Sequence, residues 1–150
     1  MQLILFTGIP GSGKSTFYKQ NFFHTHMRVN LDMLRTRHRE DRLLDFCFHT
    51  SMPFVVDNTN VTLQDRKKYI DLAQQNHYAV IGYYFETNLQ NCLQRNATRS
   101  GRQLVSERGL IAKYRALRIP SLQEGYNELY YVQLTTENEF IIRPWQHEIQ

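Results

Sequence analysis

The chain has 150 residues, 41% hydrophobic and 13% aromatic, with 18 basic against 14 acidic side chains and a formal net charge of +4. That length suits one module with a proper core and is too short for two ordinary ones, so a single domain over residues 1–150 is expected. No apolar run approaches the roughly 20 residues of a membrane span, no repeat is visible, and the first strand starts too near Met1 for a leader, so a cytoplasmic protein with no membrane partner is expected.

Gln2–Phe6 reads as a buried strand that runs into Gly8-Ile9-Pro10-Gly11-Ser12-Gly13-Lys14-Ser15-Thr16. Gly8, Gly13, Lys14 and Ser15 meet the spacing G-x-x-x-x-G-K-[ST] between a strand and the helix Lys14–Phe23, the context of a phosphate-binding loop. Glycines there let successive N–H groups turn toward phosphate oxygens while the helix aims its positive end at them. Gly11, Ser12, Gly13, Lys14, Ser15 and Thr16 are thus the candidate nucleotide-binding set. Lys14 reaches the β- and γ-phosphates of a nucleoside triphosphate such as ATP, and Ser15 offers its hydroxyl to Mg2+.

A short strand ends near Asn30, Asp32–Thr50 reads as one charged helix, and Pro53–Asp57 as a second buried strand broken by Asn58-Thr59-Asn60. The helix Thr62–Asn76 with Thr62 as cap, the strand Tyr78–Phe85 and the helix Asn88–Thr98 follow. Ser100-Gly101-Arg102 interrupts, Ser106–Arg118 is helical up to Pro120, and Glu128–Leu134 and Phe140–Ile142 are strands joined by a polar turn. Strands alternating with helices imply crossover units, hence an α/β fold with a parallel sheet covered on both faces. With the phosphate loop this is a P-loop NTPase fold, in which ligands bind beyond the carboxyl ends of the strands.

Three features could supply chemistry on that side. Asp32 and Arg35 are three apart on the expected helix and share a face. Asp32 serves either as the base that accepts a hydroxyl proton, with Arg35 forking onto a phosphate of the acceptor, or as a helix cap with a surface neighbour; the phosphate loop favours catalysis. Asp57 closes a buried strand, where it holds Mg2+ through a water, orients a substrate-binding arginine, or serves the turn. Arg95 and Arg99 lie one helical turn apart in a stretch whose basic residues, Arg95, Arg99, Arg102, Arg108, Lys113, Arg115 and Arg118, face only Glu107 in sign. A short helical lid over about 95–118 closing on nucleotide, with arginine brought to the transferring group, competes with a solvated basic face. Cys47 and Cys92 lack metal spacing and read as reduced packing residues. The sequons at Asn60 and Asn96 read as chance matches. His24, His26, His38, His49, His77 and His147 have no partners at metal spacing. Trp145, Tyr126, Tyr130 and Tyr131 suit core packing better than base stacking.

Taken in order, these segments resemble the kinase domain of the 5′-polynucleotide kinases, end-healing enzymes of phages and of animal DNA repair. Gly8–Thr16 is similar to that family's phosphate loop, Val29-Asn30-Leu31-Asp32 to its Asn-Arg-Asp motif, and Val56–Asn60 to its Asp-Asn-Thr-Asn segment. Arg95-Asn96-Ala97-Thr98-Arg99 resembles its lid and Pro120–Tyr126 its closing segment, so the likeness spans about residues 2–134. The resemblance implies transfer of the γ-phosphate of ATP, with Mg2+, to a nucleic-acid 5′-hydroxyl of DNA or RNA; with no phosphatase or ligase module in the 150 residues, a free-standing kinase is expected. Asp32 is then the base, Arg35 grips the neighbouring phosphate with Asn58 and Asp57 on the acceptor side, Arg99 stabilises the transferring phosphoryl, and Arg95 stacks on adenine. Leu31 departs from the motif, which has arginine there. The rival readings are a small-molecule kinase with the same donor loop, an ATPase or regulatory nucleotide-binding module, and a nucleic-acid binder with a vestigial loop. The basic stretch favours a polyanionic acceptor. The absence of Asn-Lys-x-Asp, and asparagine rather than glutamate after Asp57, disfavour a switch.

Overall fold

The alternation inside the first strand sets up the whole molecule. In β1 (Gln2–Thr7), Leu3 and Leu5 point to one face and Ile4 and Phe6 to the other, and all four are buried. The computed structural model describes residues 1–101 and 104–146. Leu3 and Leu5 join a core with Leu44 and Cys47 of α3 (Arg37–His49) and Tyr69, Ile70 and Ala73 of α4 (Leu63–Gln75). Ile4 and Phe6 join Phe17 and Tyr18 of α1 (Lys14–Asn21), where Phe17 meets Phe6, Phe85 and Phe140 edge-to-face. Helices therefore cover both faces of the sheet.

The sheet runs β2 (Met27–Val29), β3 (Phe54–Val56), β1, β4 (Ala79–Phe85), β5 (Glu128–Leu134), β6 (Phe140–Pro144). The first five strands are parallel and β6 pairs antiparallel with β5 through the expected polar turn. This is the α/β P-loop NTPase fold, and β1 and β3 are neighbours, so the segments that follow them open on the same side.

One expected helix is two. α2 (Leu31–Leu34) stops at Arg35, whose φ of 75° lies in the left-handed region, and Thr36 restarts the chain as the cap of α3 by accepting a hydrogen bond from Arg39 N at 3.1 Å. Asp32 and Arg35 consequently do not share a helical face. The α1 helix also ends two residues early, at Asn21. The Thr62 cap is present and is reciprocated by Asp65, a capping box. Tyr126 is buried against Gly82, Tyr130 stacks on Tyr83 at 5.2 Å, and Trp145 packs edge-on to Tyr84, so these aromatics pack on one another. Arg102 and His147, which the sequence counts among its basic and histidine residues, lie outside the described residues.

A third, smaller cluster joins Ile9 and Val61 from the strand-end loops to Cys92 of α5 (Leu89–Ala97) and Leu110 of α6 (Glu107–Ala116). It fastens the two helices across the carboxyl end of the sheet. Asn96 completes the attachment by exchanging two hydrogen bonds with the Val105 backbone, at 2.6 and 3.0 Å. Asn60 and Asn96 are both buried, which removes the two sequons from enzymatic access. Burial pushes the Cys47 thiol up to about 11 and raises that of Cys92, in keeping with packing roles.

Candidate active site

The loop between β1 and α1 is bent by Gly11 and Gly13, at φ 84° and 100°, values that favour glycine. A Cβ on Gly11 would lie 2.5 Å from the Cys92 carbonyl oxygen, so α5 packs directly on the loop. Arg95 of the same helix donates from Nη1 to the Gly11 carbonyl at 2.7 Å. The first-turn N–H groups of α1 have no intrahelical acceptor and face the loop's mouth, the chemistry that an anionic phosphate needs. Lys14 is buried, and its Nζ donates to the carbonyls of Gly8 and Ile9 at 2.9 and 3.0 Å. Burial pushes its ammonium down to about 8; Asp57 opposes that shift and Arg99 adds to it.

Beside the loop, the turn after β3 is tied in by backbone and side chain. Gly8 N donates to Thr59 O at 3.0 Å, and Asn60 Nδ2 donates to Phe6 O at 2.8 Å. Buried Arg66 of α4 supports the turn from below, donating to the carbonyls of Asn60 and Val61 and pairing with Glu124 at 2.8 Å. Asn58 bridges outward: its Oδ1 accepts from Leu31 N at 2.9 Å, at the start of α2, while its Nδ2 donates to Glu40 at 3.2 Å. Glu40 is fully buried and also accepts from Arg37, Lys68 and Tyr69, each at 3.0 Å. Four donors compensate its charge, and through Asn58 it fixes where α2 begins. Asn30 caps α2 by accepting from Met33 N and donates to Asp57 O at 2.6 Å. Asp32 is thereby held on the short helix next to the loop, with its side chain exposed.

Asp57 is buried at the end of β3 and accepts from Arg28 Nε at 2.8 Å; the Arg28 Nη2 lies 2.7 Å from the same carboxylate oxygen. Burial raises the Asp57 carboxyl, and Lys14 and Arg28 pull it back. Arg28 Nη2 also donates to Ser15 Oγ at 3.0 Å, so Ser15 and Asp57 lie on one guanidinium. Asp57 is thus committed to Arg28, and the Ser15 hydroxyl at the phosphate loop is the group that fits Mg2+, a hard cation that keeps waters and takes phosphate oxygens.

A cavity of about 620 Å³ brings these groups together. Lys14, Ser15, Thr16, Asp32, Asp57, Asn58 and Arg99 all border it, as do Leu31, Arg28, Lys19 and Lys113. Gly11, Ser12 and Gly13 form the loop beneath it and do not border it. Two candidates stand apart: Arg35 is exposed at the left-handed break itself, and Arg95 holds the loop carbonyl. Arg28, Glu40 and Lys19 were not anticipated from the sequence, whereas Lys113 belongs to the basic stretch expected over the site. Arg28 sits in a three-residue strand too short for alternation to assign a face, and the burial of Glu40 depends on donors 18 to 29 residues away.

The parallel order, the loop after β1 and the aspartate after β3 together define the P-loop NTPase fold. Solved structures share it: Kti12 of Chaetomium thermophilum in complex with ADP-AlF3 aligns with a TM-score of 0.71 at 13% identity, over 91% of this chain and 92% of that one. A gluconokinase from Sinorhizobium meliloti aligns at 0.62 and 16%, over 90% and 83%. The family model described as an AAA domain matches residues 42–115. The chain resembles the polynucleotide kinases. It is 24% identical over 132 residues to a bifunctional polynucleotide phosphatase/kinase of Schizosaccharomyces pombe, covering 85% of this chain and 32% of that protein. It is 31% identical over 78 residues to a putative bifunctional polynucleotide phosphatase/kinase of Acanthamoeba polyphaga mimivirus, covering 51% and 18%. The chain thus spans a third or less of the length of these curated relatives.

Proposed function

We propose that the chain is an ATP-dependent polynucleotide 5′-kinase, transferring the γ-phosphoryl of ATP to a 5′-hydroxyl end of DNA or RNA. What carries the reading is that a donor loop with Lys14, a carboxylate at Asp32 and an arginine at Arg99 border one cavity of about 620 Å³. In this reading the loop N–H groups and Lys14 grip the donor phosphates. The Asp32 carboxylate accepts the proton of the acceptor hydroxyl as its oxygen attacks the γ-phosphorus, and the bond to the ADP oxygen breaks. Arg99, brought by the segment between α5 and α6, offsets charge on the transferring phosphoryl. Ser15 would hold Mg2+, which would supply neutralisation of phosphate charge when bound, while Asp57 stays paired with Arg28.

A polymer acceptor is supported by the order of the motifs and by the cations Lys19, Arg28, Arg99 and Lys113 bordering the cavity against only Asp32 and Asp57. A small-molecule alcohol is the alternative, since a donor loop and an aspartate base serve either. The deciding assay offers γ-labelled ATP and Mg2+ with 5′-hydroxyl DNA, 5′-hydroxyl RNA and a panel of sugars and nucleosides. Label on an oligonucleotide 5′ end is expected; label confined to the small molecules overturns the polymer reading.

A further inference from the structure

Among the cations that border the cavity, Arg28 is the one built into the sheet. It stands in β2, beside the end of β3, and its guanidinium is fixed by three neighbours. Asp57, with its side chain 1% exposed, takes Nε and Nη2 on one oxygen; Ser15 Oγ takes Nη2; and the Tyr18 ring lies under the guanidinium carbon at 5.6 Å. Nη1 makes no hydrogen bond among the described residues, and the side chain is 25% exposed. A guanidinium oriented on a buried carboxylate loses little rotamer freedom on binding an anion, because the geometry is already set. Lys14 belongs to the donor phosphates. Arg99 comes from the segment over the site. Arg35, the arginine that the family resemblance would assign to the acceptor, is itself the left-handed break at φ 75° and does not border the cavity.

We infer that Arg28, aligned by Asp57, binds the acceptor phosphate next to the reacting hydroxyl and so takes the role that the family resemblance gives to Arg35. The inference rests on the polynucleotide-kinase reading and names the residue that selects an acceptor carrying a phosphate beside its hydroxyl. Asp57 then acts as a positioning residue through Arg28, whose guanidinium stands beside the donor loop at Ser15.

The test compares two 5′-hydroxyl oligonucleotides, one with ordinary diesters and one with an uncharged methylphosphonate at the linkage nearest the 5′ end. Initial rates with Mg·ATP are measured for the unmutated protein, Arg28→Lys, Arg28→Gln and Arg35→Ala, giving kcat, acceptor KM and ATP KM. The unmutated protein is expected to lose about tenfold in kcat/KM on the methylphosphonate. Both Arg28 variants are expected to raise acceptor KM about tenfold, with kcat and ATP KM changed less than about threefold, and to shrink the methylphosphonate penalty to below about threefold. Arg35→Ala keeps the penalty. The inference is overturned if either Arg28 variant retains the full penalty, if the Arg28 defect falls on ATP KM alone, or if Arg35→Ala erases the penalty. Transfer to neither oligonucleotide by the unmutated protein is a different failure: it removes the polymer reading and this inference with it.

Discussion

Lys14 shows how a single residue ties the site to solution conditions. Burial pushes its ammonium down to about 8, whereas a bound phosphate favours the charged amine. Nucleotide affinity is therefore expected to be flat below about pH 8 and to fall by up to tenfold per pH unit above it, because binding must then take up a proton. Stability has the opposite sign. The folded-state value lies below the unfolded 10.5, so the buried ammonium is a destabilising contribution below about pH 8, relieved as the pH rises from 8 toward 10.5. Calorimetric titration with Mg·ATP at three pH values across that range checks the binding half; constant affinity contradicts it. Lys14 and Asp57 were legible in the sequence because motif spacing and a strand end fix their positions. Arg28 was not, since its importance comes from a carboxylate 29 residues away.

At the scale of elements, the site depends on how α2 is launched. Asn30 caps it, Asn58 receives its first N–H, and Glu40 of α3 holds the Asn58 amide from behind. Glu40→Ala leaves four donors without their acceptor inside the protein. We expect a loss of about 3 kcal/mol, read from the urea midpoint. The same variant raises acceptor KM more than ATP KM, because Asn58 loses its anchor while the donor loop keeps its own contacts. A stability loss without any acceptor effect would mean that Glu40 serves packing alone. The division between α2 and α3 was written only faintly: Thr36 is a good cap, but the apolar spacing from Leu34 to Phe48 runs on through it, and no residue signal announces a left-handed arginine at 35. The cap at Thr62 was legible because it precedes a periodic run after a polar break; Asn88 and Ser106, legible as helix starts, are caps as well.

Across the whole molecule, strand–helix alternation and two buried strands were enough to read a parallel sheet, while the strand order and the antiparallel β6 depend on pairings between distant segments. The third cluster, which fastens α5 and α6 over the strand ends, carries the basic residues to the mouth of the cavity, where Arg99 and Lys113 join Lys19 and Arg28. Oligonucleotide binding is accordingly expected to weaken with salt, with a log–log slope of about −2 for about three neutralised phosphates on a single strand. Acceptor KM measured from low to physiological ionic strength gives that slope, and a flat profile contradicts a polyanionic acceptor. The central claim is that Asp32 takes the proton of an acceptor hydroxyl beside a nucleotide held by the loop. Its most direct test is single-turnover transfer from γ-labelled ATP to a 5′-hydroxyl oligonucleotide by Asp32→Ala, with ATP affinity measured on the same sample. Transfer is expected to fall at least ~10³-fold with ATP affinity retained; transfer at the unmutated rate, or loss of ATP binding as the sole cause, would contradict a base role for Asp32.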